Sequence, residues 1–283
     1  MSAQAAPSER DLDRLANLAR NAERLLVLTG AGVSTASGIP DYRDEDGEWK
    51  RSAPMQFADF KGNERSRRRY WARSMIGWPR VQLARPNAAH ATLAQLEQQG
   101  HVHQLVTQNV DGLHQRAGSR NVIDMHGRLD DVCCLSCDYT EARDSYQDKL
   151  IARNAAWTGL DAGTAPDGDA DLEVADFDRF KLVPCPVCGG IIKPRVVFYG
   201  ESIPGPVTRA ANAALADADA LLVVGSSLMV FSGFRFARSM AERGQPVAAI
   251  NRGKTRADEL IGLKIQADIA PTLGQLAQRL DAV

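Results

Sequence analysis

Four short apolar runs, each ending in small polar residues, restrict this chain to an α/β architecture. Leu25-Leu26-Val27-Leu28 runs into Thr29-Gly30-Ala31-Gly32, and Val102 to Val106 runs into Thr107-Gln108-Asn109. Leu221 to Val224 ends in Gly225-Ser226-Ser227, and Pro246 to Ile250 ends in Asn251-Arg252-Gly253. Apolar runs of this length, interrupted only at His103-Gln104 in the second, suit strands that are buried on both faces. Helical segments are predicted between them at Asp11–Ala22, Ala88–Gln99, Val207–Ala216 and Phe234–Arg243, with a last one at Leu273–Leu280. Such alternation predicts a doubly wound parallel sheet of Rossmann-like type, in which ligands bind beyond the carboxyl ends of the strands. The four polar loops should then converge on one crevice.

Two cysteine pairs add a second constraint. Cys134 and Cys137, then Cys185 and Cys188, are each separated by two residues. That spacing lets both sulfurs of a pair reach one tetrahedral ion, and two pairs complete a four-cysteine zinc site. Pro186 stiffens the second pair, and Gly189-Gly190 can form a turn that points N–H groups at the thiolates. Redox pairs or disulfides are the rival reading. Redox pairs usually come singly after a strand, however, and disulfides need an oxidising compartment. The fifth cysteine, Cys133, reads as a small buried residue without a role. Between the pairs, Asp167 to Asp178 carries six acidic residues and no basic one. A solvated loop is expected there.

A chain of 283 residues suits one large domain with a smaller inserted module. The expected division is a nucleotide-binding domain from 1–44, 88–130 and 196–283, a helical lid at 45–87, and a zinc module at 131–195. Thirty-four basic residues balance 35 acidic ones, which speaks against nucleic acid as the main partner. No apolar run approaches the ~18 residues that would span a bilayer. Met1 to Arg10 is polar, and Glu9, Asp11 and Asp13 are wrong for an organelle transit peptide. The expectation is a cytoplasmic protein with no membrane partner.

The loop Gly30-Ala31-Gly32-Val33-Ser34-Thr35 departs from a dinucleotide fingerprint, because Thr35 stands where a third glycine belongs. An acidic residue to grip the adenosine ribose is also missing. Ser37 to Arg43 is too polar and turn-rich for a dehydrogenase crossover helix.

Taken in order, Gly30 to Arg43, Thr107 to His114, Met125-His126-Gly127, the cysteine pairs, Gly225-Ser226-Ser227 and Asn251-Arg252-Gly253 resemble the sirtuins. The resemblance runs from Leu12 to Ile269. It implies an NAD-consuming protein-lysine deacylase, an acyltransferase that moves the acyl group to ADP-ribose and releases nicotinamide. It also implies a structural zinc ion and acylated lysines of proteins as substrates. The acyl oxygen would attack the ribose carbon that carries nicotinamide, and the ribose hydroxyls would complete the transfer. That route needs a base of near-neutral pKa, which histidine supplies. Of the five histidines, His126 holds the family position, after the apolar pair Val122-Ile123. His90, His101 and His103 read as ordinary core or surface residues, and His114 as structural.

Asn109 and Asp111 are the other candidate catalytic residues, placed to bond ribose hydroxyls and the carboxamide; the bland reading is that they cap the next turn. By the same resemblance Gly30, Ala31, Gly32, Ser34, Ile39, Pro40, Asp41, Tyr42, Arg43, Gln108 and Val110 bind the cofactor. Asp41 would face the carboxamide and Arg43 phosphate and ribose. Gly225, Ser226, Ser227, Asn251, Arg252, Gly253 and Ile269 bind its adenosine side, Ile269 through its backbone. The acyl-lysine peptide should lie as an added strand against Val197, Phe198, Tyr199, Gly200 and Glu201 on one side and Ser227 to Phe231 on the other.

The arginine run Arg65 to Arg73 is by default a solvated helix face, but Tyr70 and Arg73 are three apart and share a side of it. Such a pair resembles the sirtuin branches that remove acidic acyl groups, with Arg73 gripping a carboxylate. Gly77-Trp78-Pro79 beyond it is more similar to the class II, lipoamidase-type branch. The expectation is weak activity on acetyl-lysine and better turnover of longer or carboxylated acyl groups. Two other readings stay open: a protein mono-ADP-ribosyltransferase, and a non-catalytic zinc-ribbon interaction module. An ordinary dehydrogenase is disfavoured by the broken fingerprint.

Overall fold

The computed structural model describes residues 6–50, 53–160, 163–164, 170–171 and 176–282. Most of the acidic stretch 167–178 therefore lies outside the described residues. The strands are β1 (Leu25–Thr29), β2 (Gln104–Thr107), β3 (Val122–Asp124), β4 (Gly127–Cys134), β5 (Thr140–Ala142), β6 (Gly163–Thr164), β7 (Ala170–Asp171), β8 (Ile192–Val196), β9 (Ala220–Val224), β10 (Val247–Ile250) and β11 (Leu263–Ile265). The helices are α1 (Glu9–Asn21), α2 (Phe57–Gly62), α3 (Glu64–Leu83), α4 (Ala88–Gln98), α5 (Leu113–Arg116), α6 (Arg143–Arg153), α7 (Gly205–Asp217), α8 (Phe231–Glu242) and α9 (Ile269–Asp281).

Six strands pair in parallel in the order β11-β10-β9-β1-β2-β3. The chain builds outward from β1 to β3, then returns to lay β9 on the other side of β1. The order reverses between β1 and β9, so a crevice opens beyond their carboxyl ends. All five residues of β1 are buried. Leu25 and Val27 pack with Leu15, Leu93 and Leu276 from α1, α4 and α9. Leu26 and Leu28 face the opposite way, against Ala211, Phe236 and Met240 from α7 and α8. Two-residue periodicity thus sends one strand into two separate cores.

The predicted helices and strands are present, with shifted ends. Helix α1 starts before Asp11 because the Ser8 hydroxyl accepts a hydrogen bond from the Asp11 N–H at 3.1 Å. Helix α9 starts at Ile269 rather than Leu273, since Pro271 sits in the first turn, where its missing N–H costs nothing. Strands β3 and β11 were not among the four apolar runs. Each is three residues long, and β3 is half-buried throughout.

The smaller domain is built from both insertions. Antiparallel β5-β4-β8 form its sheet. Phe60, Tyr70, Trp71 and Met75 from α2 and α3 share one core with Val132, Tyr146, Phe180, Cys134 and Cys185. The lid expected at 45–87 and the zinc module expected at 131–195 therefore pack as one body. Its sheet reaches from Gly127 to Val196 and crosses both expected boundaries of the module. Arg143 stands fully buried in the seam, its guanidinium 5.4 Å from the Trp71 ring and 4.9 Å from that of Trp78. Among the described residues no helix is long and apolar enough to cross a membrane.

Candidate active site

The loops that follow β1, β2, β9 and β10 enclose a cavity of about 960 Å³, a size in the range of cofactor sites. Two 3₁₀ turns, Ala31–Val33 and Thr35–Ser37, replace a crossover helix after β1. Gly225 makes this possible. Its φ is +63°, and a Cβ on it would fall 2.6 Å from the Val33 nitrogen. A side chain there would push the two strand-end loops apart and block the backbone approach that a dinucleotide needs. The strand order, the cavity size and this backbone cradle fit NAD.

Most of the residues expected to hold the cofactor line this cavity, namely the Gly30 loop, Ile39, Asp41, Tyr42, Arg43, Gln108 to Asp111, Gly225 to Ser227, Asn251, Arg252 and Ile269. Pro40 and Gly253 do not. Gly253 instead fits tightly against the backbone of Glu45, where a Cβ would lie 2.3 Å from the carbonyl oxygen. Asp41 is paired with Lys50 at 2.5 Å, and the Arg43 guanidinium lies 3.6 Å over the Trp49 ring. Gln108 bonds the Ser226 hydroxyl at 2.7 Å, tying the ends of β2 and β9 together.

Asn109 and Asp111 are locked rather than mobile. The Asn109 amide donates to the Gly30 carbonyl and to the Ser34 hydroxyl, both at 3.1 Å. Ser34 in turn donates to Asp111 at 2.7 Å. The other oxygen of Asp111 accepts from the Leu113 N–H at 2.9 Å, satisfying the first N–H of α5.

His126 lies at the turn between β3 and β4. Its Nδ1 is 3.0 Å from the Gln108 carbonyl oxygen. A carbonyl can only accept, so the ring proton sits on Nδ1 and Nε2 carries the lone pair. The Ser232 hydroxyl, 3.0 Å away, donates to Nε2. Burial lowers the pKa of His126, and the Gln108 carbonyl only partly opposes this. The ring is therefore a neutral base lining the cavity.

His90 and His114 lie behind the site, their rings 4.8 Å apart. Burial and then the neighbouring His90 press the pKa of His114 down to about 3. Its unfolded value is about 6.5. Between these values the unfolded chain takes up a proton that the folded chain refuses. Stability present above pH 6.5 should thus fall as the pH drops, by about 1.4 kcal/mol at pH 5.5 and about 2.7 kcal/mol at pH 4.5 from His114 alone. His90 and His126 are lowered too and act in the same direction. Urea midpoints across this range measure it, and a midpoint that holds steady down to pH 4.5 contradicts it.

The four paired cysteines meet away from the cavity, with all sulfurs within 4.8 Å of one another. Separations of 3.5 Å (Cys134–Cys188), 3.5 Å (Cys137–Cys188) and 3.7 Å (Cys137–Cys185) are far too long for disulfides. They match the edge of about 3.8 Å in a tetrahedron with metal–sulfur bonds of about 2.3 Å. The Ser136 N–H points at the Cys134 sulfur from 3.3 Å. This donor set fits zinc in a structural, fully protein-ligated role.

Val197 to Glu201 line the cavity, as does Tyr70; Arg73 does not. Tyr70 is held by the rings of Phe60 and Phe198, 5.4 and 5.2 Å away. Together with Met55, Val81, Leu129, Val196 and Phe198 it gives this end of the cavity an apolar wall. The Glu201 carboxylate is engaged internally, by buried Lys193 at 3.0 Å and by the Phe198 N–H at 2.9 Å. Lys193 and Ser232 are the residues that the sequence reading missed. Ser232 carries no signal, since it meets His126 only through the fold, and Lys193 sits in a strand with nothing local to mark its side chain as turned inward.

The strand order, the glycine cradle and a neutral imidazole in one cavity, with a four-cysteine cluster in the small domain, define an NAD-site protein whose small domain carries a metal-binding cluster. The chain belongs to the Sir2 family, whose model matches residues 30–232. An NAD-dependent protein deacetylase of Bordetella bronchiseptica is 55% identical over 266 residues, covering 94% of this chain and 97% of the relative. NAD-dependent protein deacetylase 2 of Bradyrhizobium diazoefficiens is 58% identical over 244 residues, 86% and 89% of the two chains. A solved Sir2 structure with a p53 peptide and NAD+ superposes with a TM-score of 0.75 at 27% identity, covering 96% of this chain and 99% of that one.

Proposed function

We propose that this chain is an NAD-dependent protein-lysine deacylase that transfers the acyl group to ADP-ribose and releases nicotinamide. The observation that carries the reading is the lone pair of His126 Nε2, in the same cavity as the glycine cradle. NAD would supply a ribose carbon bearing a cationic leaving group, which the acyl oxygen can replace. The Gly30 and Gly225 loops would hold the dinucleotide through backbone N–H groups. Asn109, fixed by Gly30 and Ser34, would orient the carboxamide and ribose end, with Asp111 beside it. His126 would take the proton of a ribose hydroxyl at Nε2, which is where general-base work requires an acceptor. Nicotinamide release with and without an acetyl-lysine peptide tests this. Release that ignores the peptide, or label from NAD that stays on protein, overturns it in favour of hydrolysis or ADP-ribosyl transfer.

The finer reading concerns the acyl group and the setting. The apolar wall around Tyr70 favours aliphatic acyl chains longer than acetyl. The described cations on the cavity, Arg43, Lys50 and Arg252, belong to the cofactor side, where they contact Trp49, Asp41 and Asp268. With Arg73 off the cavity, Arg73→Met should leave the acetyl-to-succinyl ratio of kcat/KM within about threefold of the parent, since no carboxylate contact is lost. Succinyl or glutaryl peptides turned over better than acetyl or lipoyl ones, and slowed selectively by Arg73→Met, would reverse this. A reducing compartment such as the cytoplasm suits ligands that must stay thiolates.

A further inference from the structure

Nε2 of His126 has one lone pair, and in this structure the Ser232 hydroxyl already uses it, at 3.0 Å. The contact is held from both sides. Gln108 accepts from Nδ1 through its carbonyl, while its side chain bonds the Thr29 carbonyl at 3.3 Å and Ser226 at 2.7 Å. The first turn of α8, which carries Ser232, sits directly against that same side chain. A Cβ on the next residue, Gly233, would fall 2.5 Å from Gln108 Oε1. The imidazole therefore sits between two closely packed elements, and rotation about the Ser232 side-chain bond is what remains open to its hydroxyl.

We propose that Ser232 is a positioning residue for the base: its hydroxyl keeps the place at His126 Nε2 that the ribose hydroxyl takes when substrate binds. This rests on the reading of His126 as the base. In the free protein the donated hydrogen bond stabilises the neutral ring and fixes its plane. On binding, the substrate hydroxyl replaces Ser232 as the donor, so the base meets its substrate already neutral and aligned. Most charged groups around the cavity have other partners, Arg252 and Asp268 pairing with each other and Asp44 taking the Glu48 N–H. Asp111 is bonded by Ser34 and the Leu113 N–H, Glu201 by Lys193, Asp41 by Lys50, and Arg43 by the Gly47 carbonyl. On the segment of His126 itself, Asp124 is bonded by Gln115 and Arg128 pairs with Asp130.

The test compares the pH profiles of the parent, Ser232→Ala and Ser232→Thr. The acid limb of kcat/KM reports the free enzyme and that of kcat the substrate complex. Removing a donor from the neutral ring raises its pKa. Ser232→Ala should therefore move the kcat/KM limb up by about half to one pH unit, while the kcat limb stays in place. Ser232→Thr, which keeps a hydroxyl, should follow the parent. A kcat/KM limb that does not move in Ser232→Ala overturns the proposal. So does a kcat limb that moves equally, because Ser232 would then remain on Nε2 in the complex. An NMR titration of His126 in the free protein, read for the same upward shift, tests the contact without activity. A protein that shows this shift but no peptide-dependent nicotinamide release would fail as a deacylase while keeping the Ser232 contact.

Discussion

His126→Ala should lower kcat for deacylation by about a hundredfold to ten-thousandfold, the usual worth of a positioned base. The lone pair on Nε2 is the group lost. The described cavity lining contains no second imidazole, and among its carboxylates Asp41, Asp44, Asp111, Glu201 and Asp268 are held by other partners. The fold should tolerate the change. The ring makes two hydrogen bonds, to Gln108 and Ser232, so about 1–3 kcal/mol is at stake. NAD affinity should change little, because the glycine loops that cradle it are untouched. Measuring kcat, NAD binding and the melting curve together separates the cases. A variant that melts normally and deacylates at the parent rate would remove His126 from the chemistry.

Replacing Cys185 by Ala should collapse the small domain and abolish peptide-dependent activity. Structural zinc contributes about 10–16 kcal/mol to folding in small zinc modules, comparable with the whole stability of about 5–15 kcal/mol expected for a domain. Here the cluster is not peripheral. Cys134 and Cys185 are buried in the same core as Trp71, Tyr146, Tyr70 and Phe198, and the last two line the cavity. Loss of the ion should therefore erase the near-ultraviolet signal of Trp71 and Trp157 together with activity. A strong chelator should act on the parent in the same way, slowly. A Cys185→Ala protein that keeps its tryptophan signal and its turnover would show that the cysteines hold nothing of consequence.

How much could be read in advance depended on distance along the chain. The parallel strands, the glycine turns that end them and the two-residue cysteine spacing are local patterns, because each arises from neighbours within one or two turns of backbone. The departure at Thr35 was legible too, and the chain does replace a crossover helix with two 3₁₀ turns there. Helix ends were less legible, since a cap such as Ser8 or a tolerated proline such as Pro271 shifts a boundary without altering periodicity. Tyr70 and Arg73 show where helical spacing stops being informative. Helical spacing placed both on one face in projection, but the cavity touches only Tyr70.

The amino-acid order by itself determined the sheet class, the crevice at the strand ends, the four metal ligands and the histidine most suited to act as a base. The first three follow from periodicity and residue chemistry, which operate over short spans; the choice among the histidines followed from the sirtuin resemblance around Met125-His126-Gly127. Tertiary structure alone decided that 57–83 and the cysteine module share one core. It also decided that Ser232 meets His126 across 106 residues of chain. The reason is physical: such contacts come from how separately formed elements pack, and no local pattern encodes which distant side chain will fill a given gap.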